Sequence, residues 1–136
     1  MDVYKRTIWP VLLATVWISI SEFARNEMLL KNYWVSHYEE LGLVFPSDPV
    51  NGLVWGLWSL CFALTVLMIS RNNSLIRTTL VSWFAGFVLM WIVLWNMNVL
   101  PLGILFFAIP LSLFEAFLAA LIIKKLTFSK KPVQAL

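Results

Sequence analysis

Residues 100–123 read LPLGILFFAIPLSLFEAFLAALII. As a helix, an apolar run of this length crosses the roughly 30 Å hydrocarbon core of a bilayer, for which about 20 residues suffice. It carries one charge, Glu115, near its middle. The run poses the two questions of this chain: what architecture surrounds it, and why a carboxylate sits inside it.

Three more stretches have the same character. Residues 7–30, 52–69 and 75–95 are apolar and close to span length, so the chain reads as four membrane helices with short connections. Composition agrees. Of 136 residues, 61% are hydrophobic and 12% charged, against about 45–50% and about 25% in an average soluble domain. A soluble domain of about 150 residues still leaves about 30% of its unfolded-state surface in water, too much for so apolar a chain. Only helices and closed barrels satisfy their backbone groups in lipid. The runs do not alternate with period two, which excludes a barrel. The expected fold is therefore all-α: a polytopic membrane protein in which residues 1–136 form a single four-transmembrane-helix bundle, with the lipid bilayer as its first partner.

Between Pro10 and Gly42 there is no glycine or proline to stop a helix of about 32 residues and about 48 Å, longer than the membrane is thick. A bend near Lys31 and Asn32 is expected, followed by a short interfacial helix at about 32–41 with Trp34, Tyr38 and Leu41 on one face. Gly42 is its expected C-cap. The amino-terminal run is expected to remain as the first span. No small-x-small cleavage site closes it, and Glu22, Arg25, Asn26 and Glu27 follow in an unbroken helical pattern.

Basic residues set the expected orientation. Lys5, Arg6, Arg71, Arg77, Lys124, Lys125, Lys130 and Lys131 gather at one end, whereas Lys31 faces Glu39, Glu40 and Asp48 at the other. The positive-inside rule puts both termini and the tail 124–136 in the cytoplasm, in a multi-pass protein of the bacterial inner (plasma) membrane. The net charge of +3 is thus a matter of topology, and no nucleic-acid partner is expected. One cysteine, Cys61, excludes an intrachain disulfide, a CxxC pair and a cysteine-based zinc site. With His37 as the sole histidine, neither a metal site nor a cofactor is expected.

Two features carry chemistry. In span one, Thr15, Ser19, Glu22 and Asn26 step by four, three and four residues along one stripe, and Glu22 pairs with Arg25 along the helix. In span four, an ionised Glu115 costs at least about 2.5 kcal/mol, so it needs a neutral form, Arg25, or a hydroxyl such as Ser82. Depth estimates bring Glu22 and Glu115 within about 8 Å in height, near enough to line one polar cavity. Glu22, Arg25, Asn26 and Glu115 are the candidate ligand- or proton-binding residues; Trp17, Ser19, Ser82, Trp83 and Ser112 are candidate cavity-lining residues. No catalytic triad, phosphate loop or metal motif is present. Span two carries Gly52 and Gly56, continued by Ser59 and Ala63, a small-residue stripe suited to helix packing. Trp9, Trp34, Trp55, Trp58 and Trp95 are expected in the interfacial belts, and His37 on a solvated surface.

Three classes of function fit. A transporter, channel or small-ligand-binding bundle uses the embedded carboxylates, as a homo-oligomer because four helices enclose little space; it requires a polar, water-accessible cavity reaching Glu115. In length, four-helix plan and embedded glutamate the chain resembles the small multidrug resistance proteins, a resemblance of architecture that transfers no site residue. An accessory or assembly subunit of a larger membrane complex uses the glycine stripe as its contact. An intramembrane enzyme acting on a lipidic substrate uses Glu115 or Glu22 in a pocket open to lipid.

Overall fold

A computed structural model describes residues 3–129. Lys130, Lys131 and most of the expected tail lie outside the described residues. Helix α1 (Val3–Phe23) runs through a π-helical turn (Ala24–Leu29) to a break at Leu30, where ψ is 4°. Helix α2 (Lys31–Glu40) follows, then α3 (Pro49–Ser70), α4 (Leu75–Trp83), a second π-helical turn (Phe84–Val88) and α5 (Leu89–Asn96). A 3-10 turn (Leu102–Ile104) leads into α6 (Leu105–Phe128). No strand occurs among the described residues. Four helical segments, Tyr4–Leu29, Pro49–Ser70, Leu75–Asn96 and Leu102–Phe128, are long and apolar enough to cross a membrane, which makes the chain a four-helix membrane bundle.

Helix α6 is the hub, packed against α1, α3 and α4. Its Ala116, Ala119 and Ala120 are fully buried, as are Ala14 on α1 and Ala63 on α3. In lipid there is little hydrophobic gain from helix association, so close backbone approach at small residues supplies the contact. Large apolar side chains such as Leu53, Met68, Ile76 and Phe106 point outward. That surface suits a hydrocarbon surrounding.

The break at Leu30 matches the expected bend, and α2 begins one residue earlier than expected. Gly42 (φ +70°) ends it: its N–H donates to Glu39 O, and the Leu43 N–H donates to Tyr38 O, both at 2.9 Å. These two bonds are a Schellman closure. A Cβ at Gly42 meets nothing within 4 Å, so substitution acts through the backbone alone. Gly42→Ala is expected to weaken this closure by about 1–2 kcal/mol, the left-handed penalty. Amide exchange should accelerate from Tyr38 to Leu43 by about tenfold; unchanged exchange would contradict the assignment.

The expected span at 75–95 is present as Leu75–Asn96, with a π-helical turn at Phe84–Val88 between α4 and α5, the latter burying no residue. Two sequence expectations are corrected. The small-residue stripe divides: Ser59 and Ala63 are buried, whereas nothing stands within 4 Å of a Cβ at Gly52 or Gly56. Trp58 does not lie in an interfacial belt. It stacks on Phe62 and meets Phe87 edge-on within the main core, because α3 begins at Pro49 and carries Trp58 nine residues into the span.

Candidate functional site

The inward stripe of α1 is Val11, Ala14, Ile18, Glu22 and Arg25, all buried, at steps of three or four residues. The charged pair therefore continues the line of the apolar core. Arg25 lies in the π-helical turn, whose wider winding closes with the Leu30 N–H donating to Arg25 O at 2.9 Å. Such turns often mark functional positions, because they offset every later side chain against the helical repeat.

Arg25 bridges two helices. Its Nη2 donates to Glu22 Oε1 and its Nη1 to Glu115 Oε2 at 2.8 Å. Its guanidinium carbon lies 5.1 Å from the centre of the Phe87 ring, a cation–π contact from the second π-helical turn. Ser21 Oγ donates to the same Glu115 Oε2 at 2.7 Å, and Trp17 Nε1 to the Glu115 backbone carbonyl at 3.0 Å. On the far side, Asn26 Nδ2 donates to Glu22 Oε2 at 2.9 Å, and Trp34 Nε1 donates to Asn26 Oδ1 at 3.2 Å. Glu22 and Arg25 are 4% exposed and Glu115 is 0% exposed. The result is a buried carboxylate–guanidinium–carboxylate cluster in which Glu115 Oε1 receives no N–H or O–H donor. The Glu22 carboxyl stands within hydrogen-bonding reach of Glu115, so that one proton can be shared between them.

Charge does not balance inside this cluster. Two carboxylates meet one guanidinium, and the nearest base in sequence, Lys31, is partly exposed and bonded to Glu27 at 2.8 Å. Helices α3 and α4 bring no titratable group to it, since Cys61 and Arg77 are exposed. A surplus negative charge at hydrocarbon depth is costly, and one proton or one cation removes it.

All four expected binding residues thus meet: Glu22, Arg25 and Glu115 directly, and Asn26 through Glu22. Trp17 joins through the Glu115 carbonyl. Ser112 receives the Trp83 Nε1 donor at 2.9 Å and passes its own proton to Ile109 O, so these two form a separate α4–α6 link. Ser82 is fully buried but bonds to nothing, and Ser19 is half-buried with no part in the cluster. Ser21 and Phe87 are the residues that sequence reasoning missed. The i, i+4 series Trp17, Ser21, Arg25 signals Ser21; Phe87 reads as one more apolar residue of its span.

The outer end is closed by Leu30, Leu100, Ile104 and Ala108, with Trp34 packed against them. His37 is not simply solvated: its Nε2 lies 2.8 Å from Asn98 O, which ties α2 to the connection between α5 and α6. A cleft of about 490 Å³ opens between α3 and the α4–α5 segment, lined by Trp58, Cys61, Phe62, Gly86, Leu89 and Val93 among others. Neither Glu22 nor Glu115 lines it, so a lipid entering there would not meet the carboxylates. Compared with protein-family models, curated proteins and solved structures, the chain matches none.

Proposed function

We propose that this small integral membrane protein is a proton-binding bundle serving transport of a small ion or polar solute, with Glu22, Arg25 and Glu115 as the binding cluster. The observation that carries the reading is the buried charge imbalance, two carboxylates on one guanidinium, with Glu115 Oε1 left without an N–H or O–H donor. Buried polar groups are ordinarily paired, and intramembrane carboxylates commonly serve proton relays. Transport requires a water-accessible path to Glu115. That residue is fully buried and the cleft between α3 and the α4–α5 segment does not reach it, so transport requires a second conformation that opens the cluster to one side. The protein sits in the bacterial inner membrane with its basic end cytoplasmic, and associates with further copies to complete a pathway.

Proton uptake by purified protein in lipid nanodiscs tests this. The parent chain is expected to take up about one proton per chain at the cluster as the pH is lowered, counted as the difference from Glu115→Gln, the charge surplus of the cluster. Glu115→Gln is expected to abolish that uptake while circular dichroism stays unchanged. Equal uptake by parent and variant overturns the reading.

A second reading, assembly into a larger membrane complex, is favoured by the Gly52 and Gly56 face, where none of the described residues comes within 4 Å of an added Cβ. Co-purification lost in Gly56→Leu, with proton uptake intact, would support it.

A further inference from the structure

Hydroxyls inside membrane helices usually donate to the carbonyl one turn back, which satisfies them without a neighbour. Thr15, Ser59, Thr65 and Thr79 do so, at 2.8–3.0 Å from Val11 O, Trp55 O, Cys61 O and Leu75 O. Five buried side-chain oxygens among the described residues have no hydrogen-bond partner, the Glu22 carboxyl beside Glu115 apart: Ser70 Oγ, Thr78 Oγ1, Ser82 Oγ, Glu115 Oε1 and Thr127 Oγ1. Their placement is not scattered. Four of them, Ser70, Thr78, Ser82 and Thr127, belong to the end of α3, to α4 or to the last turn of α6, on the basic side of the fifth, Glu115, which stands in the cluster itself.

Their depths form a series. Lys124 Nζ donates to Ser70 O at 3.1 Å and to Asn73 O at 2.6 Å, so the end of α3, the α3–α4 turn and the late part of α6 share one level. Thr78 then stands about 4–5 Å and Ser82 about 10–11 Å above the start of α4, while Glu115 stands about 13–14 Å above Lys124. Ser70, Thr78 and Ser82 are at most 1% exposed, on helices that pack against one another and α6. The other side of the cluster differs: Glu22, Asn26 and Trp34 are bonded in sequence, and an apolar cap lies beyond them.

We infer that Thr127, Ser70, Thr78 and Ser82 line an internal water path that joins Glu115 to the basic end of the bundle. A buried hydroxyl without a partner is costly, and water that bridges successive oxygens satisfies both its neighbours. The heights of these oxygens differ by about 3–6 Å from one level to the next, counted along the helix axes alone, and bridging water is the element that would join neighbouring oxygens. Such a file gives Glu115 Oε1 a route for protons from one side only, since the opposite side is bonded and capped. Its role in moving protons rests on the proposed binding at Glu115; the water path itself does not.

Water-edited solid-state NMR of the parent protein in lipid bilayers reads the path without any substitution. Magnetisation from water is expected to reach the Thr78 and Ser82 side chains several-fold faster than Ala63 and Ala119, which are equally buried. Build-up at Thr78 and Ser82 no faster than at the alanines overturns the inference, whatever Glu115 does. In the second arm, the double variant Thr78→Val and Ser82→Ala is expected to slow proton uptake several-fold without changing the number of protons bound. An unaltered rate, with uptake still abolished by Glu115→Gln, overturns the path as a proton route and leaves the binding reading standing. Fast water transfer together with uptake that ignores Glu115→Gln supports the path and removes the binding reading.

Discussion

Arg25→Met is expected to destabilise the bundle by about 3–5 kcal/mol, the usual cost of leaving a buried charge without its partner. Among the described residues Arg25 is the one base bonded to Glu22 and Glu115, and its loss leaves two buried carboxyl groups with only Ser21 and Asn26 as donors. The sign of the coupling is also fixed. Glu115→Gln in the Arg25→Met background removes one of the stranded charges, so the double variant should be more stable than Arg25→Met alone. Unfolding free energies in bicelles, arranged as a double-mutant cycle, measure this coupling directly. Arg25→Lys should recover only part of the loss, because a single ammonium lacks the fork that bonds carboxylates on two helices at once. A parent-like stability for Arg25→Met, or no recovery by Glu115→Gln, contradicts a bridging role.

Gly86→Ala should cost about 1–3 kcal/mol, through overpacking. A Cβ at that position would stand 2.5 Å from Phe62 Cε2 and 2.9 Å from Cδ2. The ring has little freedom to retreat, since it stacks on Trp58 at 5.1 Å and meets Phe87 edge-on at 5.4 Å. Phe87 in turn carries the Arg25 guanidinium, so the strain should reach the cluster. The variant is therefore expected to lose stability and also to alter proton uptake, although Gly86 itself has no side chain to take part in the hydrogen-bond network. Reducing the ring by Phe62→Leu in the Gly86→Ala background should restore part of the stability; failure to do so would place the strain elsewhere.

The positions of the charges were readable in the chain because each helix has a fixed repeat. Glu22 and Arg25, three residues apart, meet in the structure as the repeat requires, and Asn26 reaches Glu22 from four residues away. For Glu115 the sequence leaves a neutral form, Arg25 or a hydroxyl such as Ser82 open, and the structure supplies Arg25 together with Ser21 rather than Ser82. That choice depends on the rotation of α1 about its own axis against α6. The repeat of either helix alone does not contain it. Two π-helical turns change this rotation locally. The one at Phe84–Val88 leaves no mark in hydrophobic pattern, because a one-residue offset in a mostly apolar run leaves the run apolar, whereas the one at Ala24–Leu29 falls on the polar stretch Arg25, Asn26 and Glu27.

The amino-acid sequence by itself determined an all-helical fold with four apolar spans and the clustering of basic residues at one end of them. Each of these follows from a local balance: in lipid every backbone polar group must bond within its own helix, and every charged side chain bears a cost set by its depth. The tertiary structure alone decided that Arg25 spans to Glu115, that Phe87 lies under the guanidinium, that none of the described residues comes within 4 Å of a Cβ added at Gly52 or Gly56, and that the unpartnered hydroxyls gather on one side of the cluster. Those outcomes depend on how close-packed helix surfaces interlock, where a small rotation decides whether two polar atoms meet or miss.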